Sequence, residues 1–217
     1  MIRRDYIKSI FILGTLIFMV LLNIKISITP HKLSGEFDDD IKIISETIID
    51  KEDAKLWAKS RGATNEFIEL SNLYWEHSKI HGDVNPALAY VQAAKETAFG
   101  NFGGVLDESY HNPCGLKTSK GGSDKDPKAH KKFKNWEDGV KAHLDHLALY
   151  AGAENYPKLR TTDPRHFAFI HGKATSAIKL SENWAPSDTY GKEVMVLYNQ
   201  LLEHSGNLEE PTILLLY

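Results

Sequence analysis

The chain has 217 residues, with 26 Lys and Arg against 29 Asp and Glu and a formal net charge of −3. That length allows one domain of about 150 residues with its own hydrophobic core, together with an appendage. The balanced charge provides no basic field for phosphate groups, so no nucleic-acid partner is expected. Cys114 is the only cysteine, which excludes an intramolecular disulfide and leaves folding to depend on packing.

The N-terminal residues have the pattern of a membrane anchor. Arg3, Arg4 and Lys8 precede an apolar run from residue 10 to residue 22. The residues that follow offer no pair of small side chains of the kind that a signal peptidase cleaves. We therefore expect residues 1–29 to form a cytoplasmic tip and one uncleaved transmembrane signal-anchor in the cell membrane. A single-pass arrangement would place the rest of the chain on the extracellular side, with a membrane protein as a further candidate partner.

Residues 30–63 are polar and charged, which indicates an extracellular stalk. A short helix is expected within it at 51–60, with Leu56 and Trp57 directed toward the following domain. The ordered domain is predicted to begin at residue 64 and to end at residue 206.

The first helix of this domain is predicted to start at a cap formed by Thr64 or Asn65 and to stop at Gly82. Its side chains at helical spacing define one packing face: Phe67, Leu70, Leu73, Tyr74 and His77. We interpret it as a packing helix and assign it no chemistry.

The next helix carries the candidate catalytic acid. Asn85 can cap it and Pro86 suits its first position, where the missing N–H costs nothing, so a helix is predicted over 86–98. Glu96 lies in its last turn, where burial and the helix dipole both raise the pKa of a carboxyl group. A general acid that works near neutral pH needs a shift in that direction. The alternative is a surface glutamate paired with Lys95 or with a neighbouring chain, and the spacing alone does not decide between the two.

Between residues 101 and 136 the sequence changes character, and Gly, Lys and Asp replace the helical repeat. Segments 115–118 and 130–133 are predicted as two short strands joined by a polar loop. Such a β-hairpin would form the far wall of a cleft. With the residue just past its end, this region also contains the candidates for a second carboxylate: Asp107, Glu108, Asp124, Asp126 and Glu137.

Asn135 is the expected cap of the helix that follows the hairpin. His143 and His146 lie three residues apart on that helix, but no third ligand stands at a metal-binding spacing. We therefore expect no metal and no other cofactor. The last helix is predicted to begin near Tyr190, with an apolar stripe directed to the core.

Four segments resemble, in the same order, the bacterial endo-β-N-acetylglucosaminidase family, which are cell-wall glycoside hydrolases of the family 73 type with a lysozyme-like fold. The segments are QAAKETAFG at 92–100, NPCGLK at 112–117, FKNWEDGV at 133–140 and LSENWAPSDTYG at 180–191. Each one alone is a weak signal, whereas four in sequence are fairly specific.

The resemblance implies an α+β fold that is mainly α, namely a lysozyme-like helical domain with a small β-hairpin lobe. It implies that Glu96 is the acid and that Tyr190 borders the cleft opposite it. Five further residues are assigned to substrate binding: Gln92, Phe99, Asn112, Lys117 and Trp184.

A second catalytic carboxylate is harder to assign. Glycosidases generally use two carboxyl groups, and the resembling family places the second in the hairpin. Residues 130–134 contain none, so Asp126 and Asp124 are the nearest candidates. The alternative is that the 2-acetamido oxygen of the substrate attacks the anomeric carbon, in which case Glu96 is the critical carboxyl group of the protein.

The expected function is hydrolysis of the β-1,4 bond after N-acetylglucosamine in the glycan strands of peptidoglycan. A lytic transglycosylase or muramidase on the same fold is one alternative, because a transglycosylase needs no second carboxylate. A peptidoglycan-binding module without activity is the other. The apolar C-terminal tail at 207–217 has no assigned role.

Overall fold

A computed structural model of the chain describes residues 40–185 and 187–206. Its five α-helices are α1 (Lys51–Ser60), α2 (Asn65–His77), α3 (Pro86–Thr97), α4 (Trp136–Ala151) and α5 (Tyr190–Gly206). Short 3-10 helices lie at Lys79–His81, Glu108–Tyr110, Pro127–Ala129, Ala168–Ile170 and Ile178–Glu182. The fold is mainly helical and is consistent with a lysozyme-like helical domain.

The expected transmembrane helix and the C-terminal tail lie outside the described residues, as does the first part of the stalk. Within 40–185 and 187–206, no helix is both long enough and apolar enough to cross a membrane.

Helix α3 lies at the centre of the domain and packs against α2 and α5. Every residue from Pro86 to Ala94 is buried, as its mixture of apolar and small side chains predicts. The Asn85 side chain accepts a hydrogen bond from the backbone N–H of Leu88, which confirms the predicted cap. The helix ends at Thr97, because the next two residues adopt left-handed backbone conformations. This abrupt end leaves Glu96 in the last turn.

Residues 40–63 differ from the predicted stalk, because they belong to the packed domain. The side chains of Ile43, Ile49 and Trp57 are buried in the same core as α3. The expected helix at 51–60 is confirmed as α1. Trp57 is directed inward, whereas Leu56 is 48% exposed. Neighbouring residues on a helix do not share a face, so the expectation that both point to the domain was wrong.

Two further caps follow the sequence prediction. The Thr64 side chain accepts from the backbone N–H of Phe67 at the start of α2. The Asn135 side chain accepts from that of Asp138 at the start of α4. Both helices therefore begin where a side-chain oxygen replaces the missing intrahelical acceptor.

The predicted hairpin is reduced to a minimal antiparallel pairing. Lys117 forms an isolated bridge with His130. The backbone N–H of Thr118 donates to the carbonyl of Ala129, and that of Lys131 donates to the carbonyl of Leu116. We use the term "β lobe" for residues 111–133, which contain this pairing. Its position agrees with the sequence prediction, but the ordered strands are shorter than the predicted 115–118 and 130–133.

The β lobe rests on α4 through a small apolar cluster of its own, formed by Cys114, Leu116, Phe133 and Ala142. Close approach of the two parts requires a glycine within α4. A Cβ atom on Gly139 would lie 2.0 Å from the carbonyl oxygen of His111 and 3.0 Å from the Pro113 side chain.

A buried carboxylate, Asp145, connects α4 to His81 before it and to residues 156–161 after it. The side chain of Asp145 accepts hydrogen bonds from His81, Lys158, Tyr156 and Thr161 at 2.5–2.7 Å. Burial by itself would raise the pKa of Asp145. The four hydrogen bonds outweigh that effect and hold the pKa well below its usual range.

We expect Asp145 to make the stability of the domain depend on pH. Because its pKa is lowered in the folded state, its contribution is fully present above the unfolded-state pKa of about 3.9 and is lost as the pH falls further. In urea denaturation at pH 6, the Asp145→Asn variant should be less stable than the parent by about 3 kcal/mol, since Lys158 loses its buried partner. The difference should shrink below pH 4. Asp188→Asn, which removes an exposed carboxylate, is the control, and a pH-independent difference for Asp145→Asn would contradict the prediction.

Candidate active site

An open cleft of about 840 Å³ runs between the helical body and the β lobe. Glu96 lines it at the end of α3, and residues 114–117 and Asp124 line it from the β lobe. Helix α4 contributes His146 and Tyr150. The β lobe also contributes His130, and the remaining wall consists of Arg165, Phe167, Phe169, Ile170, Lys173 and residues 182–185.

The carboxyl group of Glu96 is held in a defined orientation. The hydroxyl of Tyr190 donates to its Oε1 at 2.5 Å. Its Oε2 faces Gly115, where an added Cβ atom would be 3.7 Å away. Lys95 does not neutralise Glu96 by direct pairing, because its Nζ binds Glu193 instead. The surface ion pair that the sequence left open as an alternative is therefore absent.

The electrostatic setting of Glu96 suits a general acid. Burial raises its pKa, while the hydrogen bond from Tyr190, the positive charge of Lys95 and an interaction with the Trp184 indole act in the opposite direction. The raised pKa results because burial exceeds the other three effects. A carboxyl group of this kind retains its proton at a higher pH than an exposed one, so it can protonate a leaving group.

Tyr190 links Glu96 to polar groups within the core. It begins α5, as predicted, and its side chain is buried. Its hydroxyl accepts a hydrogen bond from Nε2 of Gln92 at 2.8 Å. Gln92 itself is fully buried. The resemblance implied a substrate contact for Gln92, but Gln92 stands one helical turn before Glu96 on the inward side and contacts Tyr190 rather than the cleft.

The polar contacts continue beyond Gln92 into the core. The Oε1 atom of Gln92 lies 3.1 Å from Nε2 of His143, and Nδ1 of His143 lies 2.7 Å from the hydroxyl of Tyr74. We call the five residues Tyr74, His143, Gln92, Tyr190 and Glu96 the hydrogen-bond relay. Burial lowers the pKa of His143 to about 3, and the charge of His146 acts in the same direction, so the imidazole is neutral. Sequence reasoning missed Tyr74 and His143, whose side chains meet although 69 residues separate them.

Two other residues assigned to substrate binding have structural roles. Asn112 is buried, donates to the carbonyls of Leu116 and Lys131 and accepts from the N–H of Leu116. It therefore holds the β lobe in shape. Phe99 packs against Trp57 and Phe67 in the core, with ring centroids 5.2 and 6.1 Å away.

Lys117 and Trp184 both line the cleft, as the resemblance implied. Lys117 binds Asp124 at 2.6 Å and the carbonyl oxygen of Gly122 at 2.8 Å. Its ammonium group is thus held at the rim by the β lobe. The indole of Trp184 packs on His146, with the ring centroids 5.2 Å apart. That arrangement fixes an aromatic surface next to Glu96.

The two candidate second carboxylates have different surroundings. Asp124 lines the cleft with its side chain 83% exposed, and the Lys117 hydrogen bond and charge lower its pKa. Asp126 accepts from the backbone N–H of Lys128 and caps a 3-10 helix. It is not part of the cleft lining. Glu182 also lines the cleft, from the wall on the helical side, and sequence reasoning did not single it out.

His146 and the wall at 165–173 are cleft features that the sequence analysis did not assign. Asp163 is buried and binds Nδ1 of His146 at 2.8 Å, which orients the imidazole. Phe167 and Phe169 stack at 5.5 Å, with Phe169 71% exposed. A Phe-x-Phe sequence carries no functional signal by itself, so only the fold reveals that it borders the cleft.

Cys114 lies in an environment that disfavours a role as a nucleophile. Burial raises the pKa of the Cys114 thiol well above its usual value, which disfavours the nucleophilic thiolate. His111 contacts the carbonyl oxygen of Phe133. Within residues 40–185 and 187–206, no three His, Cys, Asp or Glu side chains cluster in a way that could hold a metal ion.

Residues 72–203 match the glucosaminidase family, described as mannosyl-glycoprotein endo-beta-N-acetylglucosaminidase. The match includes Glu96, the whole β lobe and Tyr190, and it extends over more than half of the chain. The chain therefore belongs to the glucosaminidase family and carries a glycoside hydrolase domain.

One curated relative is an uncharacterized protein of Borreliella burgdorferi strain B31, which is 31% identical over 141 residues. The aligned part is 63% of this chain and 64% of the relative, so the chain spans less than two thirds of the length of that protein. No solved structure matches the chain.

Proposed function

We propose that this protein hydrolyses the β-1,4 bond that follows N-acetylglucosamine in the glycan strands of peptidoglycan, with Glu96 as the general acid. The observation that carries the proposal is that Glu96 lines an open cleft while the buried Tyr190 donates a hydrogen bond to its carboxyl group. An open groove suits a long polysaccharide, which must be bound along its length and cut internally. The family match supports the reaction class, and the four segments that resemble bacterial cell-wall hydrolases support the substrate.

Glu96 would act in its protonated form. As the glycosidic bond breaks, the proton moves from Glu96 to the leaving oxygen, and a carboxylate remains. The Tyr190 hydroxyl already donates to Oε1, so it stabilises this carboxylate as it forms and requires no rearrangement. Oε2, on the side of Gly115, is the atom that we assign to proton donation.

Lys117 and Trp184 are our candidates for substrate contacts. An indole face can stack on a sugar ring, and an ammonium group at the rim can bind a hydroxyl or a carboxylate of the wall peptide. Gln92, Asn112 and Phe99 would support the site from within the protein.

Asp124 is our candidate for the group that acts opposite Glu96. It lies on the β lobe and borders the cleft, and its lowered pKa keeps it ionised, as a base or nucleophile must be. We expect Asp124→Asn to reduce kcat by about 10²-fold. Asp126→Asn is the matched control two residues away and should retain parental activity. If Asp124→Asn also retains it, the substrate's own acetamido group becomes the better candidate for the nucleophile.

A digest of purified peptidoglycan with the full-length protein tests the proposed function. We expect new reducing ends that carry N-acetylglucosamine, identified by mass spectrometry after reduction. Terminal N-acetylmuramic acid would indicate a muramidase, and a terminal anhydro sugar would indicate a lytic transglycosylase. Among these alternative activities, we favour the lytic transglycosylase. Asp124 is exposed, which suits a second catalytic carboxylate poorly, and a transglycosylase needs no second carboxylate. Binding without any cleavage would support a non-catalytic module.

We also propose that residues 1–29 tether the protein to the cell membrane. The basic flank and apolar run of that segment motivate the proposal. In cells, the full-length chain should stay in the membrane fraction after alkaline carbonate extraction. Its release into the soluble fraction would contradict the tether and leave the proposed reaction unaffected.

A further inference from the structure

The hydrogen-bond relay has a direction. Tyr190 donates to Glu96, and Gln92 donates through Nε2 to Tyr190. Gln92 then presents its carbonyl oxygen to His143, and a carbonyl oxygen only accepts, so Nε2 of His143 must carry the proton. A neutral imidazole has one N–H, so Nδ1 of His143 must accept from the hydroxyl of Tyr74. Every donor in the relay therefore points toward Glu96.

The reverse direction would also join the same five residues. In that arrangement Nδ1 of His143 donates to Tyr74, the Gln92 amide is flipped, and the Tyr190 hydroxyl donates to Gln92. Tyr190 would then offer Glu96 a lone pair instead of a proton. Such a site would favour the protonated form of Glu96 and would no longer stabilise the carboxylate that proton transfer creates.

Tyr74 distinguishes the two directions because it stands at the end of the relay. Its side chain is fully buried, and within the described residues its hydroxyl has no hydrogen-bond partner except His143. In the reverse arrangement the Tyr74 O–H would have no acceptor, and an unpaired buried donor is costly. In the observed direction the Tyr74 O–H donates to Nδ1 of His143, so this donor is not left unpaired.

We propose that Tyr74 fixes the direction of hydrogen bonding along the relay and thereby keeps the Tyr190 hydroxyl donating to Glu96. Tyr74 is then a positioning residue that acts on the reaction from the core, through His143, Gln92 and Tyr190. The proposal rests on the proposed function in taking Glu96 as the acid.

Charged and titratable groups lie around Glu96, His143 and Tyr74. Those that face Glu96 are Lys95, Cys114, Trp184 and Tyr190, with His130, Asp124 and Lys117 also on the cleft. Those that face His143 are Tyr74, Gln92, His146, Asp163 and Trp184. Those that face Tyr74, besides His143, are Cys114 and Tyr90. Cys114 faces both Tyr74 and Glu96, but burial raises the pKa of its thiol well above the usual value and keeps it neutral. Removing the Tyr74 hydroxyl therefore changes no charge near Glu96, and the hydrogen-bonded path between the two residues is the relay.

Tyr74→Phe tests the proposal, with Tyr90→Phe as a matched control. Tyr90 is equally buried, lies on α3 with Glu96, and donates to the backbone carbonyl of Phe67. Its ring packs edge-on against the Tyr74 ring at 5.9 Å, but its hydroxyl makes no hydrogen bond to a relay residue, so Tyr90→Phe removes a neighbouring hydroxyl and leaves the relay intact. The pKa of Glu96 is measured in each protein by NMR titration of its side-chain carboxyl carbon. We expect Tyr74→Phe to raise that pKa by about 0.5–1 unit, because donation to the carboxylate is weakened. Tyr90→Phe should leave it unchanged, and Tyr190→Phe should raise it further.

The activity profile should move in the same direction. A higher pKa keeps Glu96 protonated to higher pH, so the alkaline limb of kcat/KM should shift upward in Tyr74→Phe and not in Tyr90→Phe. An unchanged pKa in Tyr74→Phe, or equal shifts in both variants, would overturn the proposal.

The parent protein provides a test that does not require any variant to fold. The ring nitrogen chemical shifts of His143 should identify the tautomer with the proton on Nε2, and a proton on Nδ1 instead would overturn the proposal. Both NMR measurements are independent of glycan cleavage. A protein that failed to cut peptidoglycan would therefore refute the proposed function and leave the relay to be judged by its own result.

Discussion

Glu96→Gln should reduce glycan cleavage by about 10³-fold, the largest effect on activity that we expect from one substitution. The glutamine amide has nearly the same shape as the carboxyl group and can still accept the hydrogen bond from Tyr190 through its carbonyl oxygen. It cannot supply a proton to the leaving oxygen. The variant should therefore fold and bind the substrate but release few new reducing ends, which are counted after digestion of purified peptidoglycan.

The control for this experiment is Glu66→Gln, which makes the same chemical change at an exposed position in the first turn of α2. It should cleave at the parental rate. A sedimentation assay with insoluble peptidoglycan separates lost chemistry from lost binding, since Glu96→Gln should remain bound. If Glu96→Gln cleaves within tenfold of the parent, another group is the acid.

Gly139→Ala should be among the most destabilising substitutions in the domain, although it adds only one methyl group. In the interior of a helix, alanine is normally favoured over glycine by about 1 kcal/mol. Here the added Cβ would lie 2.0 Å from a backbone carbonyl oxygen, and backbone cannot move aside as a flexible side chain can. We expect a loss of about 3 kcal/mol in the free energy of unfolding, measured by urea denaturation.

The same change should impair cleavage, because the carbonyl oxygen belongs to His111 and the β lobe begins there. Gly104→Ala is the matched control, since no atom lies within 4 Å of the added Cβ and the backbone there is not left-handed. Its stability should stay within about 0.5 kcal/mol of the parent. Parental stability and activity in Gly139→Ala would show that the β lobe does not depend on this close contact with α4.

The helix starts could be predicted from the sequence because their signals are local. A cap such as Asn85 binds a backbone N–H three residues away, and the same holds for Thr64 and Asn135. The Glu96–Tyr190 pair, our candidate for the catalytic site, could be predicted only through the family resemblance. Glu96 and Tyr190 are 94 residues apart, and no periodicity relates them.

The residues that surround the pair were harder to assign. A motif records which positions matter for a function but does not separate residues that touch substrate from residues that hold the site. Gln92 and Asn112 both belong to recognised segments, and the structure buries both. Tyr74 looked like one more member of a packing stripe, because its partner lies on a distant helix.

The start of the domain was misjudged for a compositional reason. Residues 40–50 contain five isoleucines, but as a set these follow neither a helical repeat nor a strict alternation with the polar residues between them. Backbone pairing instead fixes this segment on the domain, since Ile44 pairs with Val84 and Lys42 pairs with Ser176. Pairing of this kind depends on segments far away in the chain and leaves no local pattern.

The small apolar cluster beneath the β lobe has a consequence for how substrate enters. The lobe packs on the body through the contact of Cys114, Leu116 and Phe133 with Ala142 of α4, whereas the helices share a far larger core. Within the lobe, the Asn112 hydrogen bonds and one bridge hold the chain together. Regions with few buried apolar contacts open at lower free energy than the whole domain unfolds. Amide hydrogens at Leu116 and Lys131 should therefore exchange with deuterium much faster than those of α3. A polysaccharide crosslinked into a wall has no free end nearby to thread, and a lobe that swings away by itself would let the strand be laid into the groove from the side.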